Sequence, residues 1–294
     1  MKILIVLLRL RGGVGRANNG MADALRKRGH EVDLLSREDD LKIFSFFKSI
    51  FPLRKKIKEL VKKNNYSIIY TQDYSCALPL FLPFPIYWRK HFCCFCGTKK
   101  GKSKGQLRHK IIQKIVGRIM GKKLVAIGDS IHKRFPKSTK IYRGINFKEF
   151  KPIKKRRKCL GWIERDTENI TKEELEKVTK LTNLKLIIAK GIPPKKMNEF
   201  YNECKVFVSL PNNDGYNNSW NEAIAAGVPI IIGNNEGAGS FLPFDKILDE
   251  KDMEKRIREI IKNPKKINYR NWIIKKGLTW DNAAEKLLKV FEMK

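Results

Sequence analysis

The sequence predicts an α/β chain made of two Rossmann-like, doubly wound domains, and three observations predict it. Residues 2–8 (KILIVLL) form a nearly continuous apolar run, as expected of a strand buried on both faces of a parallel sheet. A glycine-rich turn, a helix-like stretch and a second strand-like run follow, and the alternation continues through the first half. Near residue 159, after a basic junction that contains a proline, the same alternation starts afresh. At 294 residues the chain is long enough for two cores.

The elements follow in order. Arg11-Gly12-Gly13-Val14-Gly15-Arg16 reads as the turn after the first strand, 18–28 as a helix stopped by Gly29, and 31–35 as the second strand. Apolar runs at 67–70, 92–96 and 124–127 read as further strands. In the second half, 159–163, 184–189, 206–210 and 229–232 read as strands, with helices at 172–181 and 195–203 between them. Residues 147–152 and the run Lys154-Lys155-Arg156-Arg157-Lys158 read as a linker. The expected domains are 1–150 and 151–278, facing each other across a cleft, with a final helix over 279–294.

Charge narrows the class of partner. The 63 Lys and Arg against 30 Asp and Glu leave a formal charge of +33, a field that attracts nucleic acid, acidic membrane surfaces or phosphorylated small molecules. A hydrophobic content of 42% excludes a disordered polycation. The excess is uneven: residues 1–150 hold 34 basic and 10 acidic side chains, residues 151–294 hold 29 and 20, and 74–128 hold no acid at all. The longest apolar run, 77–88, carries three prolines and is too short to span a bilayer. Arg9 and Arg11, rather than a small-residue cleavage site, follow the N-terminal apolar run. Six cysteines in a large basic chain do not read as a secreted disulfide framework, so a reducing, cytoplasmic setting is expected.

Two loops carry candidate chemistry. Backbone N–H groups at a helix N-terminus bind phosphate, and glycine permits the close approach, which makes Gly12, Gly13 and Gly15 candidates. This run is not the dinucleotide fingerprint G-x-G-x-x-G, and Ser36-Arg37 stand where that fingerprint's partner carboxylate would be. The second loop, residues 209–229, runs from a strand end through Asp214-Gly215-Tyr216-Asn217-Asn218-Ser219 into a helix stopped by Gly227. Seven residues separate Asp214 from Glu222, which sets both carboxylates near the C-terminal edge of the sheet, where open α/β sheets bind ligands. There they suit sugar hydroxyls, and the amides around Asn217, Asn218 and Ser219 suit phosphate. Ser219-x-x-Glu222 fits a capping box equally well.

These segments resemble the retaining glycosyltransferases of family 4, which have the GT-B fold. The 214–222 stretch resembles the E-x7-E segment of that family with Asp in the first position, and Gly12-Gly13-Val14-Gly15-Arg16 resembles its N-terminal glycine loop. Arg143-Gly144-Ile145-Asn146 followed by Phe150-Lys151-Pro152 resembles the interdomain junction, and Ile192-Pro193-Pro194-Lys195-Lys196-Met197 the loop beside the nucleotide base. Thr279-Trp280-Asp281 resembles the start of a final helix that crosses back to the first domain. The resemblance implies an N-terminal acceptor domain and a C-terminal donor domain. It implies a UDP- or GDP-linked sugar as donor, no separate cofactor and no metal. It further implies transfer with retention by front-face attack. Asp214 would hold a donor-sugar hydroxyl and Glu222 the ribose hydroxyls, while Gly13 and the amides near Asn218 and Ser219 would face the diphosphate, with Gly215 a further donor-binding residue.

Some positions depart from the family pattern. Gly161 is followed by Trp162 where Arg is usual, so Arg165 becomes the nearest phosphate partner and Lys190 the substitute for the second clamp. Cys96-Gly97 stands where His-Gly is usual, and Asn217 occupies a position often held by Gly. Cys93-x-x-Cys96 has no second ligand pair and reads as buried and inert.

On the acceptor half, Phe44, Phe47 and Phe51 share a helical face, with Arg54, Lys55 and Lys56 directly after them. A basic helix with an aromatic face reads either as an interfacial anchor or as a helix packed on the sheet. The expected function is a retaining glycosyltransferase acting on an anionic or lipid-linked acceptor at the inner face of the cell membrane, with no nucleic acid as partner. Two alternatives stand beside it: a basic nucleic-acid-binding protein, whose affinity would fall steeply with salt, and an inactive nucleotide-sugar binder.

Overall fold

A computed structural model of the chain describes residues 1–97, 104–153, 159–164, 171–210, 216–233, 246–247, 250–263 and 268–293. The chain divides into two compact units, Met1–Gly144 with Trp280–Lys294, and Ile145–Thr279. The first unit runs β1 (Lys2–Leu7), α1 (Gly12–Lys27), β2 (Glu31–Ser36), α2 (Phe46–Asn64), β3 (Ile68–Gln72), α3 (Tyr74–Ala77), β4 (His91–Phe95), α4 (Lys104–Met120), β5 (Leu124–Ala126), α5 (Asp129–Arg134) and β6 (Thr139–Lys140). The second runs β7 (Cys159–Trp162), α6 (Lys172–Thr182), β8 (Lys185–Ile188), α7 (Met197–Glu203), β9 (Cys204–Ser209), α8 (Asn218–Ala225), β10 (Ile230–Gly233), β11 (Lys246–Ile247), α9 (Glu250–Lys262) and α10 (Tyr269–Lys275). The last helix, α11 (Trp280–Glu292), belongs to the first unit.

Both sheets are parallel and share one topology. The orders are β2-β1-β3-β4-β5-β6 and β11-β10-β9-β7-β8, so each unit's first strand lies between its second and third. Strand order therefore reverses at β1/β3 and at β7/β9, and the loops leaving the carboxyl ends of these strands border the ligand-binding crevice of a doubly wound sheet.

The strand period of two divides the first sheet's core between its faces. Leu4, Val6 and Ile69 lie with Leu53 and Ile57 of α2 on one face. On that same face, Cys93 and Phe95 of β4 lie with Val116 and Met120 of α4. The register row Ile5, Tyr70, Phe92 points the other way. There Phe291 of α11 meets Tyr70 and Phe92 at ring distances of 5.7 and 5.0 Å. The N-terminal end of α11 docks on α1, where a Cβ on Gly20 would stand 2.5 Å from the Trp280 ring. Arg28 donates to both Asp281 carboxylate oxygens at 2.7 and 2.9 Å. In the second unit, Leu160, Trp162, Val206 and Val208 pack with Leu175 and Val178 of α6 and Met253 and Ile257 of α9.

Two expectations change. The first helix begins at Gly12, not at residue 18, so Gly12, Gly13 and Gly15 form its opening turn. Small residues allow this turn to start against the strand end, because a Cβ on Gly15 would fall 1.6 Å from the Leu10 carbonyl oxygen. Residues 145–150, expected in the first domain, pack with the second unit. Ile145 bridges Thr279, Phe150 meets Tyr201 at 6.2 Å, and Arg270 donates to the carbonyls of Phe147 and Phe150.

Phe291→Ala removes a ring that is 1% exposed at the centre of the α11 contact. The expected cost is about 3–5 kcal/mol, read as a lowered midpoint in urea unfolding.

Candidate functional site

In the second unit the switch-point edge collects most of the expected donor residues. Gly161 lies in β7 and leads to Glu164, β8 leads to Lys190, and β9 leads towards α8. Ala189 N–H donates to the Trp162 carbonyl at 2.8 Å, which ties the ends of β7 and β8 together. Lys190 forms an ion pair with Glu164 at 2.9 Å, with its side chain 79% exposed. Gly161 turns towards the core: a Cβ there would stand 2.2 Å from Cys204 Sγ, so close packing under the sheet requires glycine. Arg165, Asp214 and Gly215 lie outside the described residues.

The helix that carries Glu222 begins at Asn218, with Asn217 in extended conformation at its N-cap. Ser219 is therefore a helical residue, and Ser219-x-x-Glu222 does not form a capping box. The sequence does form such a box elsewhere, at Thr171 and Glu174. Glu222 is 3% exposed and accepts a hydrogen bond from the Tyr201 hydroxyl at 2.8 Å. Tyr201, brought in by α7 and itself fully buried, carries no sequence signal that would place it here. Beside it, Tyr216 donates to Asn221 Oδ1 at 2.5 Å.

Polar satisfaction is incomplete around this connection. Ser209 Oγ at the end of β9, Asn217 Nδ2 and Trp220 Nε1 are buried and have no hydrogen-bond partner among the described residues. Leaving a buried donor unpaired costs about 1–3 kcal/mol. All three belong to the strand-to-helix connection from β9 to α8, of which residues 211–215 lie outside the described residues.

At the first unit's switch point, Gly12 takes a left-handed φ of 68° with open space around it, so its role is conformational. The α1 N-terminus has no side-chain cap. Across from it, Asp73 ends β3 with φ 71° and ψ 156°, a region reserved almost entirely for glycine. Its carboxylate accepts from Tyr74 N–H at 2.8 Å, and its own N–H donates to the Cys94 carbonyl at 2.7 Å. Nothing in the sequence pattern marks Asp73 beyond its place after a strand-like run.

The cysteines separate by position. Cys93 is buried as expected, but Cys96 is half-exposed at the end of β4. Its sulfur lies 3.8 Å from Cys94 Sγ and 3.4 Å from Gln72 Oε1. The Cys94 hydrogen bond and the Arg143 guanidinium lower its thiol to about 6, against the effect of burial. Cys96 is therefore less buried than expected, with Cys94 two residues back on the same side of the strand and Arg143, near the end of the Met1–Gly144 segment, beside it.

The expected membrane residues split in the same way. Phe44 precedes α2, Phe47 and Phe51 share its outer face, and all three are exposed, at 64%, 55% and 66%. Lys55 is exposed and Lys56 half-buried. Arg54 turns inward, 8% exposed, and donates to the Pro79 carbonyl at 3.0 Å. It shares the inner face with Ile50, Leu53 and Ile57, so it is no surface cation. Among the described residues, no three His, Cys, Asp or Glu side chains group closely enough to hold a metal ion, and no helix is long and apolar enough to cross a membrane.

No family model matches the chain, and no curated protein matches it. Solved structures do share its fold. Sucrose-phosphate synthase from Thermosynechococcus elongatus superposes with a TM-score of 0.76 at 13% identity, over 99% of this chain and 98% of that one. An α-glucosyltransferase in complex with UDP and a 13-mer DNA gives 0.63 at 13% identity, over 99% and 100%. UDP-GlcNAc 2-epimerase from Methanocaldococcus jannaschii gives 0.62 at 11%, over 100% of both chains. The chain thus has a GT-B-class fold, one that glycosyltransferases share with nucleotide-sugar epimerases.

Alkylation of Cys96 by iodoacetamide should rise with pH through a midpoint near 6 and level off by neutrality, since the thiolate is the reactive form. Arg143→Met should move that midpoint up towards the ordinary thiol value of about 8.5. Peptide mapping of the alkylated protein separates Cys96 from the five buried cysteines.

Proposed function

We propose that the chain is a retaining glycosyltransferase of family 4 type. It would take a UDP- or GDP-linked sugar at the second unit's switch-point edge and pass it to an anionic or lipid-linked acceptor at a membrane surface. The observation that carries this reading is the β9–α8 connection. A buried Glu222 held by Tyr201, and three buried polar atoms with no partner among the described residues, lie along the connection at the edge where a doubly wound sheet receives ligands.

In this reading Glu222 accepts the ribose hydroxyls, and the α8 N-terminus with Asn217, Asn218 and Ser219 faces the diphosphate. Asp214 holds a sugar hydroxyl. Arg165 and Lys190 stand nearest to the leaving diphosphate, whose growing charge is met by cations and amides rather than by a metal ion. For Lys190 this means leaving Glu164, an exchange that its exposure permits. Gly12, Gly13 and Gly15 open the helix on the acceptor half.

A second reading keeps the transferase and changes the acceptor to nucleic acid. Two facts favour it: the charge of +33 and the shared fold of a glucosyltransferase in complex with DNA. Its mark would be a steep loss of nucleic-acid affinity with salt in the range where vesicle binding is absent.

Calorimetry with UDP and GDP tests the donor site. One of them should bind, and Glu222→Ala should weaken it by about 10- to 150-fold, as expected for hydrogen bonds to a charged group. Glu222→Gln keeps a partner for Tyr201, so a fold intact by circular dichroism with lost nucleotide affinity separates binding from folding. Wild-type affinity in both variants would remove Glu222 from the site. Retention would be read from the anomeric signal of the transferred sugar.

A further inference from the structure

Helix α4 is apolar on two sides. Its inner row, Val116 and Met120 with Ile112 packed beside them, lies in the core of the first unit. Its outer row, Leu107, Ile111, Ile115 and Ile119, repeats every fourth residue, and each side chain is about half exposed (56%, 50%, 52% and 47%). A helix packed on a sheet needs only the inner row. The outer row continues into a groove of about 630 Å³ between α4 and the segment after α3, where Phe81, Leu82 and Trp88 face Ile115 and Ile119. Phe84, 74% exposed, projects from that segment. Helix α2 packs on the same face of the sheet, where Phe46 meets His109 of α4 at 5.5 Å, and it too exposes apolar side chains, Phe47 and Phe51.

The surroundings of this patch are basic. Residues 44–123 contain 19 Lys and Arg against two acids, Glu59 and Asp73. Arg108, Lys114 and Arg118 on α4, Lys122 just after it, and Lys48, Lys55 and Lys58 on α2 are exposed. An outward aliphatic row rimmed by lysines and arginines is the chemistry of a helix lying in a lipid interface. The charge disfavours a second copy of the chain as occupant, since two such faces repel. Single-stranded nucleic acid is held by base-stacking aromatics; the patch has aromatics at its margins, but its central α4 row is leucine and isoleucine, which favours lipid.

We propose that the α2/α4 face of the first unit docks on an anionic lipid bilayer. The Leu107, Ile111, Ile115 and Ile119 row and the Phe47 and Phe51 pair enter the acyl boundary, and the flanking lysines and arginines hold the headgroup phosphates. The inference rests on the membrane part of the function proposed above and assigns it to α4, which the sequence had not singled out.

Co-sedimentation with vesicles of phosphatidylglycerol and phosphatidylcholine, or of phosphatidylcholine alone, tests it. The full chain should bind the anionic vesicles and release them at high salt. Ile111→Glu with Ile115→Glu, both at exposed positions, should lower that binding at least about tenfold. Leu181→Glu, an equally exposed site on α6 (53%), should leave it unchanged. UDP or GDP affinity, measured on the same variants, should be untouched. That makes failure of the lipid face distinguishable from failure of the donor site. Unchanged vesicle binding in the double variant, equal binding to neutral vesicles, or capture of single-stranded DNA in place of vesicles would each overturn the proposal. So would a sedimentation shift from dimer to monomer in the double variant.

Discussion

Parallel pairing around a central first strand constrains nearly everything else in this molecule. In each unit the second strand pairs on one side of the first and the third on the other, through connections that cross the sheet with one hand. The reversal leaves the carboxyl ends of β1 and β3, and of β7 and β9, as the places where loops diverge and backbone amides are free of the ladder. Glycines, the strained Asp73 and the buried polar atoms of the β9–α8 connection that lack a partner among the described residues all stand at these edges. Away from the edges, the central strands β1 and β3 are largely buried and apolar.

The same pairing explains how charge is distributed over function. The layer on one face of the first sheet, α2 to α4, covers the core with one row of side chains and offers solvent another. The opposite layer, α1 with α11, is closed by Trp280 against Gly20 and by Phe291 against Tyr70 and Phe92. A face sealed by the chain's own last helix has no need of a partner. The α2/α4 face has no comparable cover among the described residues, and it carries the greater part of the acid-free basic stretch.

Much of the fold was legible in the chain because buried parallel strands have a plain signature. The runs that became β1, β7, β9 and β10 stand out for their apolar continuity, and the fresh start near residue 159 gave the second unit. Helix starts were less legible. Glycine at 12, 13 and 15 argued for a loop, yet the Leu10 carbonyl approaches so closely that only a glycine turn can begin the helix there. Arg54 was read as a surface cation because it follows an aromatic stripe, while the helical period placed it beside Ile50, Leu53 and Ile57.

The sequence by itself determined that this chain folds as two parallel α/β units and that its positive charge is concentrated in the first. It also determined that Glu222 lies in a helix that follows a polar loop. These are matters of periodicity, composition and local spacing, which one residue and its near neighbours settle. Only the tertiary structure decided that Glu222 meets Tyr201 rather than its own N-cap, that Cys96 meets Arg143, and that α4 keeps an aliphatic row outside the core. Each of these depends on which elements pack together across distances of 21, 47 or more residues. Side-chain chemistry states only what a residue can bond, and the fold selects which bond it makes.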